Sequence, residues 1–318
     1  MTQAAAKRSD ALTENWPRGW FVIGFSTDFD VGTVKPLQYF DKHLVLFRTE
    51  AGEVRVLDAF CPHLGAHLGH GGKVSGEHVV CPFHAWEFDG TGSCARIPYS
   101  DKIPGRAKVN AWTVVERNGA VFLWHDEDGG GPEWEVPVID QLDNDEWTPW
   151  FPNSITVKTH PREIVENVAD KAHFPTVHRT NVSRFENIYD GHKATQHTVG
   201  VATPPMGGED HFDITATYHG PGFQISDMKG VLHSTLLLAH VPVKKDLLEL
   251  RFAVSLKRCG PRTDEFANMY VENLRRGFHE DISIWEHKAW RERPQLSDAD
   301  GPIGQLRRWY RKFYLPRA

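Results

Sequence analysis

The sequence predicts an α+β protein with two domains, an all-β domain at residues 16–130 followed by a mixed domain at residues 131–318. Two observations support this. The first half contains short strand-like runs separated by Gly, Asp and Pro, whereas the second half contains longer strand-like runs and two helical ones. A glycine run at 129–131 marks the change as a turn or linker. A chain of 318 residues is long enough for two hydrophobic cores.

The elements follow in chain order. Residues 1–15 are polar, and we expect a disordered tail there. In the first domain, β-branched and aromatic runs predict strands at residues 20–24, 43–48, 54–58, 78–80 and 120–124. In the second domain, similar runs predict strands at 154–157, 212–218, 231–239 and 248–256, and helical periodicity predicts helices at 162–173 and 264–290.

The composition is that of a globular chain. Hydrophobic residues make up 40% and charged residues 25%, and the net charge is −6. This charge implies no broad basic surface for nucleic acid. No apolar run approaches the length of a membrane span, and the N-terminus has no apolar signal core. With only four cysteines, the simplest expected compartment is the reducing cytoplasm.

A paired cysteine–histidine motif gives the first indication of chemistry. Cys61 and His63 are separated by one residue, and Cys81 and His84 by two. Two thiolates can bind one iron of a [2Fe–2S] cluster while two imidazoles bind the other, which is the Rieske arrangement. The local glycines and prolines suit tight loops whose backbone N–H groups face the cluster sulfurs.

A zinc site is the alternative for this motif, since two cysteines and two histidines also suit zinc. In zinc fingers, however, the histidines are paired with each other, whereas here each histidine follows a cysteine. The spacing therefore favours a Rieske cluster.

A second constellation lies between residues 166 and 178. Asp170 and His173 are three residues apart, as on one helix face, and His178 lies five residues beyond His173. We expect Pro175 to break the helix and so to bring both imidazoles to one point. Two histidines beside a carboxylate suit a mononuclear Fe(II) facial triad, although this spacing alone also fits ordinary surface or core histidines.

The third ligand should be a carboxylate, and the last predicted helix supplies a candidate. Asp281 lies on the apolar stripe of this helix, where an unpaired buried carboxylate would be costly unless it bound a metal. Glu280 points away from the stripe and is less well placed. A solvated helix edge remains the alternative for Asp281.

Three stretches together resemble a known family: Cys61 to Gly69, Asn167 to His178, and Glu280 to Lys288 with Gln305 to Tyr314. They resemble the oxygenase components of Rieske non-haem iron oxygenases over nearly all of residues 17–318. Within that family, the chain is most similar to a sterol-acting group, the bacterial 3-ketosteroid 9α-hydroxylases and cholesterol 7-desaturases.

The resemblance implies a Rieske domain followed by a helix-grip (START-like) catalytic domain with an antiparallel sheet, in a homotrimer. It implies that Asp281 completes the iron site with His173 and His178. It also implies that Asp170 hydrogen-bonds its own His173 and, across the subunit interface, His84 of the neighbouring Rieske domain. A carboxylate in such a position orients imidazole ligands and raises their basicity; helix bracing is the alternative role.

No glycine-rich dinucleotide motif follows any predicted strand, so we expect a separate NAD(P)H-dependent flavin and iron–sulfur reductase. The expected function is a terminal monooxygenase that uses O₂ and two electrons to hydroxylate an apolar ring substrate, with a steroid favoured. Three alternatives stay open: a demethylase or hydroxylase of aromatic or alkaloid substrates, a Rieske electron-transfer protein, and a zinc-binding interaction module. The electron-transfer reading leaves the second domain without a role.

Overall fold

The computed structural model describes residues 15–202 and 208–314. The predicted disordered tail, apart from its last residue, lies outside these residues. The fold is built mainly from antiparallel sheets with few helices. Among the described residues, none of the helices is both long and apolar enough to cross a membrane.

The first half of the chain consists of three small sheets. Its strands are β1 (Gly19–Phe25), β2 (Val34–Tyr39), β3 (Lys42–Arg48), β4 (Val54–Asp58), β5 (Lys73–Ser75), β6 (His78–Val80), β7 (Glu87–Phe88), β8 (Cys94–Arg96), β9 (Ala111–Trp112), β10 (Val114–Arg117) and β11 (Ala120–His125). They pair in the orders β1-β11-β10, β2-β3-β4-β9 and β5-β6-β7-β8. The two cysteine–histidine loops follow β4 and β6, so the β5–β6 hairpin separates them along the chain.

The second half contains one seven-stranded antiparallel sheet in the order β12-β18-β17-β16-β15-β14-β13. Its strands are β12 (Phe151–Val157), β13 (Thr180–Asp190), β14 (Lys193–Ala202), β15 (Asp210–His219), β16 (Phe223–Lys229), β17 (Ser234–Lys244) and β18 (Leu247–Leu256). The helices are α1 (Pro161–Glu166), α2 (His173–Val177), α3 (Thr263–Trp285) and α4 (Ile303–Arg311).

Strand β17 is buried on both faces, which explains its continuous apolar sequence. Successive side chains in a strand point to opposite faces. Leu236 and Leu238 pack with the buried residues of α3, whereas Leu237 and Ala239 pack against β1 and β11. The sheet therefore joins the first half of the chain to the helix that carries Asp281.

The predicted strands are observed with shifted ends, but the predicted helix 162–173 is too long. Helix α1 ends at Glu166, a 3-10 turn follows, and Asp170 has extended backbone (φ −88°, ψ 93°). Asp170 and His173 therefore do not share a helix face.

The expected break at Pro175 is also wrong, because Pro175 lies within α2. A proline in the first turn of a helix loses no hydrogen bond, since its missing N–H has no partner there. The imidazoles of His173 and His178 instead lie at the two ends of this short helix.

Candidate metal centres

The two cysteine loops have the same local geometry. The backbone N–H of Gly65 donates to Cys61 O at 3.0 Å, and that of Ala85 donates to Cys81 O at 3.1 Å. Both donors have left-handed backbone, with φ of 78° at Gly65 and 57° at Ala85. A non-glycine residue in this region is uncommon, so Ala85 takes in the second loop a conformation that Gly65 adopts easily in the first.

These loops bring two thiols and two imidazoles together. Cys61 and Cys81 are buried, with 2% and 3% exposure. Burial, together with the neighbouring Cys81 thiol, raises the pKa of Cys61 to about 11. The rings of His63 and His84 lie 4.6 Å apart between centroids. His63 Nδ1 is buried and has no hydrogen-bond partner among the described residues, so a metal ion would supply the contact it lacks.

The orientation of His63 is set by an aromatic neighbour that the sequence analysis did not identify. The His63 ring stacks on Trp86 at 4.7 Å with an interplanar angle of 7°. Trp86 Nε1 in turn donates to Tyr99 Oη at 2.8 Å. The only sequence signal was an aromatic residue two positions after His84.

The second constellation also converges. His173, His178 and Asp281 each offer one ligand atom, and these three atoms lie within 4.8 Å of one another. Helix α2 supplies His173 at its first residue, and His178 follows its last. Asp281 comes from α3, where it is 8% exposed, and its Oδ1 lies 3.3 Å from His178 Nε2.

The backbone next to Asp170 orients the His173 ring. His173 Nδ1 donates to the Asp170 carbonyl oxygen at 2.6 Å, which leaves Nε2 free for a metal. The Asp170 carboxylate lies 3.8 Å from the same nitrogen and accepts from the backbone N–H groups of Ala172 and His173. Burial raises the pKa of Asp170, but the contacts with His173 and Ala172 outweigh it and lower the pKa. The carboxylate therefore holds the turn that leads into α2, and the ring is held by the main chain.

Glu280 contacts the metal site, although sequence reasoning placed it off the stripe. Its Oε2 lies 3.3 Å from His178 Nδ1, on the side of the ring opposite Asp281. Burial lowers the pKa of His178, but the hydrogen bonds and charges of Asp281 and Glu280 outweigh burial and raise it. The acidic pair at 280–281 therefore holds both nitrogens of one imidazole.

A further contact ties α3 to the segment that carries the histidines. Trp285 Nε1 donates to Asn167 Oδ1 at 3.2 Å, and Thr159 Oγ1 donates to the carbonyl of Trp285 at 3.1 Å. Trp285 lies one helical turn beyond Asp281. These bonds fix the position of the Asp281 turn relative to α2.

Both donor sets fit the chemistry that their spacing predicts. Two buried thiols with two adjacent imidazoles suit a Rieske [2Fe–2S] cluster. Two imidazoles and one carboxylate suit Fe(II), and leave coordination positions open. The geometry thus places each set of candidate ligands together, in different parts of the chain.

Comparison with known proteins gives consistent similarities. Residues 19–113 match the Rieske [2Fe-2S] domain, and residues 123–314 match the 3-ketosteroid 9alpha-hydroxylase C-terminal domain. The chain is 37% identical to a 3-ketosteroid-9-alpha-monooxygenase oxygenase component of Rhodococcus rhodochrous, covering 96% of this chain and 83% of the relative. It is 34% identical to the corresponding protein of Mycobacterium tuberculosis, with 96% and 83% covered, and 31% identical to cholesterol 7-desaturase nvd 1 of Ciona intestinalis, with 97% and 71% covered.

Solved structures share the fold. Dicamba monooxygenase bound to dicamba superimposes with a TM-score of 0.78 at 20% identity, over 95% of this chain and 97% of that one. Pseudomonas putida CBB5 NdmA with caffeine gives a TM-score of 0.71 at 17% identity, with 96% and 92% covered. At these identities, the likeness concerns the fold alone.

Proposed function

The chain belongs to the family of oxygenases that combine a Rieske [2Fe–2S] domain with a 3-ketosteroid 9α-hydroxylase C-terminal domain, and we propose that it is the oxygenase component of a monooxygenase that hydroxylates a steroid. It is a Rieske-type monooxygenase. The convergence of His173, His178 and Asp281 carries the proposal. An electron-transfer protein would need the cysteine–histidine loops but not this second set of ligands.

The residues that would hold each group are as follows: Cys61, His63, Cys81 and His84 for the cluster, and His173, His178 and Asp281 for the iron. When bound, the cluster supplies single electrons and the iron activates O₂. Asp170 orients His173, and Glu280 orients His178, each by holding the Nδ1 atom of the ring. With both Nδ1 atoms engaged, the Nε2 atoms are left to bind the metal.

The proposed steroid substrate is supported by the relatives and by the composition of the sheet face under α3. The bacterial relatives are named 3-ketosteroid monooxygenases. The sheet face that packs against α3 presents Leu236, Leu238, Met228 and Ile214. Apolar walls with a few polar groups suit a flat, apolar ligand.

We also propose a homotrimer in which the cluster of one subunit serves the iron of its neighbour, with Asp170 between them. Leu64 and Phe83, which directly follow His63 and precede His84, are 65% and 60% exposed. The Asp170 side chain is 39% exposed, although its backbone contacts the iron ligand His173. The exposed apolar side chains beside the cluster loops and the exposed Asp170 carboxylate beside the iron ligands would both be buried if these surfaces met between two subunits. Light scattering of the purified protein tests this: a monomer at micromolar concentration contradicts it.

Metal analysis, spectroscopy and turnover together test the proposed function. The protein should contain three irons per chain, give a Rieske-type EPR spectrum when reduced, and consume O₂ with a 3-ketosteroid and a surrogate reductase, forming hydroxylated product. Two irons and no turnover would instead indicate an electron-transfer protein, and a colourless zinc protein would indicate an interaction module. Turnover of small aromatic compounds but not of steroids would make the steroid assignment wrong.

A further inference from the structure

The two sheet strands next to α2 carry buried polar side chains on the face that α3 covers. Gln196 and Thr198 of β14 are 8% and 1% exposed. They pair across the strands with Asn187 and Phe185 of β13. Directly paired residues of an antiparallel sheet lie on the same face, so these side chains form one patch, which we call the β13–β14 patch (Asn187, Gln196 and Thr198).

The register of the sheet places this patch on the face that packs against α3. Gln196 pairs with Ala216, Ala216 with Ser226, and Ser226 with Leu236, which packs against α3. The patch therefore lies on the same face as the apolar residues beneath α3.

The patch also adjoins the iron ligands. The Phe185 ring lies 6.1 Å from that of Phe174, the residue after His173. Asn187 Nδ2 donates at 2.7 Å to the carbonyl oxygen of Val168, in the turn before Asp170. The segment that supplies both histidines thus packs directly on the strand beside the patch.

Three polar groups of the patch have no hydrogen-bond partner among the described residues: Thr198 Oγ1, Asn187 Oδ1 and the Gln196 amide. Thr198 Oγ1 and Asn187 Oδ1 are buried without a hydrogen bond, and within residues 15–202 and 208–314 the amide of Gln196 has none either. Elsewhere on this face, Ser226 Oγ accepts from Gln224 at 2.8 Å and Ser234 Oγ bonds to Tyr270 Oη at 3.0 Å. A buried polar group without a partner destabilises the fold, so such groups call for a ligand or ordered water.

We propose that the β13–β14 patch is the subsite for the ketone oxygen of the substrate, with Thr198 and Gln196 as hydrogen-bond donors. This inference rests on the proposed steroid hydroxylation. A hydroxyl and an amide N–H suit a ketone, which only accepts. The second N–H of Gln196 can serve Asn187 Oδ1 across the strands. Because the ketone and the oxidised carbon belong to fused rings, their separation is fixed, and anchoring the oxygen positions the C–H bond relative to His173, His178 and Asp281.

Equilibrium binding tests the subsite without turnover. The iron-loaded protein is titrated anaerobically by calorimetry, with cyclodextrin to keep the steroids in solution. The two ligands are 5α-androstan-3-one and 5α-androstane, which lacks the ketone. The variants are Thr198→Val and Gln196→Met, which keep the size of each side chain. The matched control is Thr195→Val, on the same strand but on the opposite face, where its hydroxyl bonds to Thr217 at 3.0 Å.

We expect Thr198→Val and Gln196→Met each to weaken androstanone binding about tenfold, the order of one hydrogen bond, and to leave androstane binding unchanged. The thermal stability of Thr198→Val should not fall, because the substitution removes a hydroxyl without a hydrogen-bond partner. Thr195→Val should change the affinity for neither androstanone nor androstane. Equal weakening for both steroids, or none for either, would show that the patch holds only water or packs structurally. If the wild-type protein binds neither steroid, the proposed substrate class is itself wrong, and the subsite with it.

Discussion

Replacing Glu280 with glutamine tests whether the acidic residue beside Asp281 supports the iron site. The change keeps the size of the side chain but removes the charge that lies 3.3 Å from His178 Nδ1. The carbonyl of the new glutamine could still accept from Nδ1, but the imidazole would lose the charge-assisted part of this bond and some basicity, so Fe(II) should bind more weakly. The cluster lies on other residues and should be unaffected.

The structure sets the size of this effect. A hydrogen bond to a charged group contributes roughly 1.5–3 kcal/mol. The 3.3 Å contact is longer than the ~2.7–2.9 Å of strong charge-assisted bonds, and the Glu280 side chain is 46% exposed, so solvent screens it. We therefore expect the lower end of this energy range, which corresponds to a loss of about tenfold in Fe(II) affinity. Changing a residue that supports a metal ligand typically lowers affinity about 10- to 100-fold, so the expected loss is at the small end.

The assay is anaerobic Fe(II) competition against a chromophoric chelator, with the visible spectrum of the cluster as a check of integrity. Glu272→Gln is the matched control, because Glu272 lies on the same helix, is 68% exposed and pairs only weakly with Arg275 at 3.6 Å. Asp281→Ala should go further and remove the third iron. If Glu280→Gln binds Fe(II) as tightly as the wild type and the control, Glu280 does not support His178 and the argument is refuted.

Three further predictions concern the cluster, the path between the centres and acid stability. His84→Cys should keep an iron–sulfur spectrum but shift the potential towards the roughly −400 mV of all-thiolate clusters, and an unchanged potential in an EPR titration would contradict the ligand assignment. Asp170→Asn should keep both centres yet slow re-oxidation of a pre-reduced cluster at least ~10-fold in single turnover, whereas a normal rate would indicate a structural brace. Burial lowers the pKa of His160, His219 and His240 to about 3, 4 and 3. Their folded pKa values lie below the unfolded 6.5, so stability should be complete above about pH 6.5 and fall at lower pH by roughly 1 kcal/mol per unit for each histidine. Urea unfolding at several pH values checks this. His240→Leu should reduce the slope of the free energy of unfolding against pH by the amount that one titrating histidine contributes.

Local patterns were sufficient to predict four strands of the large sheet, β12, β15, β17 and β18, and to identify candidate metal ligands. Continuous apolar runs such as 248–256 predicted buried strands, because a strand covered on both faces has no polar alternation. Strands β13, β14 and β16 were missed. In β14, Thr, Gln and His alternate with small residues, so the apolar signal is weak. The helix over 162–173 was predicted too long, because helical periodicity carries no sign of the turn that Asp170 makes.

The sequence by itself determined the candidate donor sets, because the spacing of Cys61 with His63 and of His173 with His178 limits which metals their side chains can share. Only the tertiary structure decided how those donors are oriented. Glu280 lies 102 residues from His178 and points away from the apolar stripe, yet the fold brings its carboxylate within 3.3 Å of the His178 ring. A helical wheel describes one helix in isolation, whereas the contact of an imidazole with a carboxylate depends on how two helices and a sheet pack together.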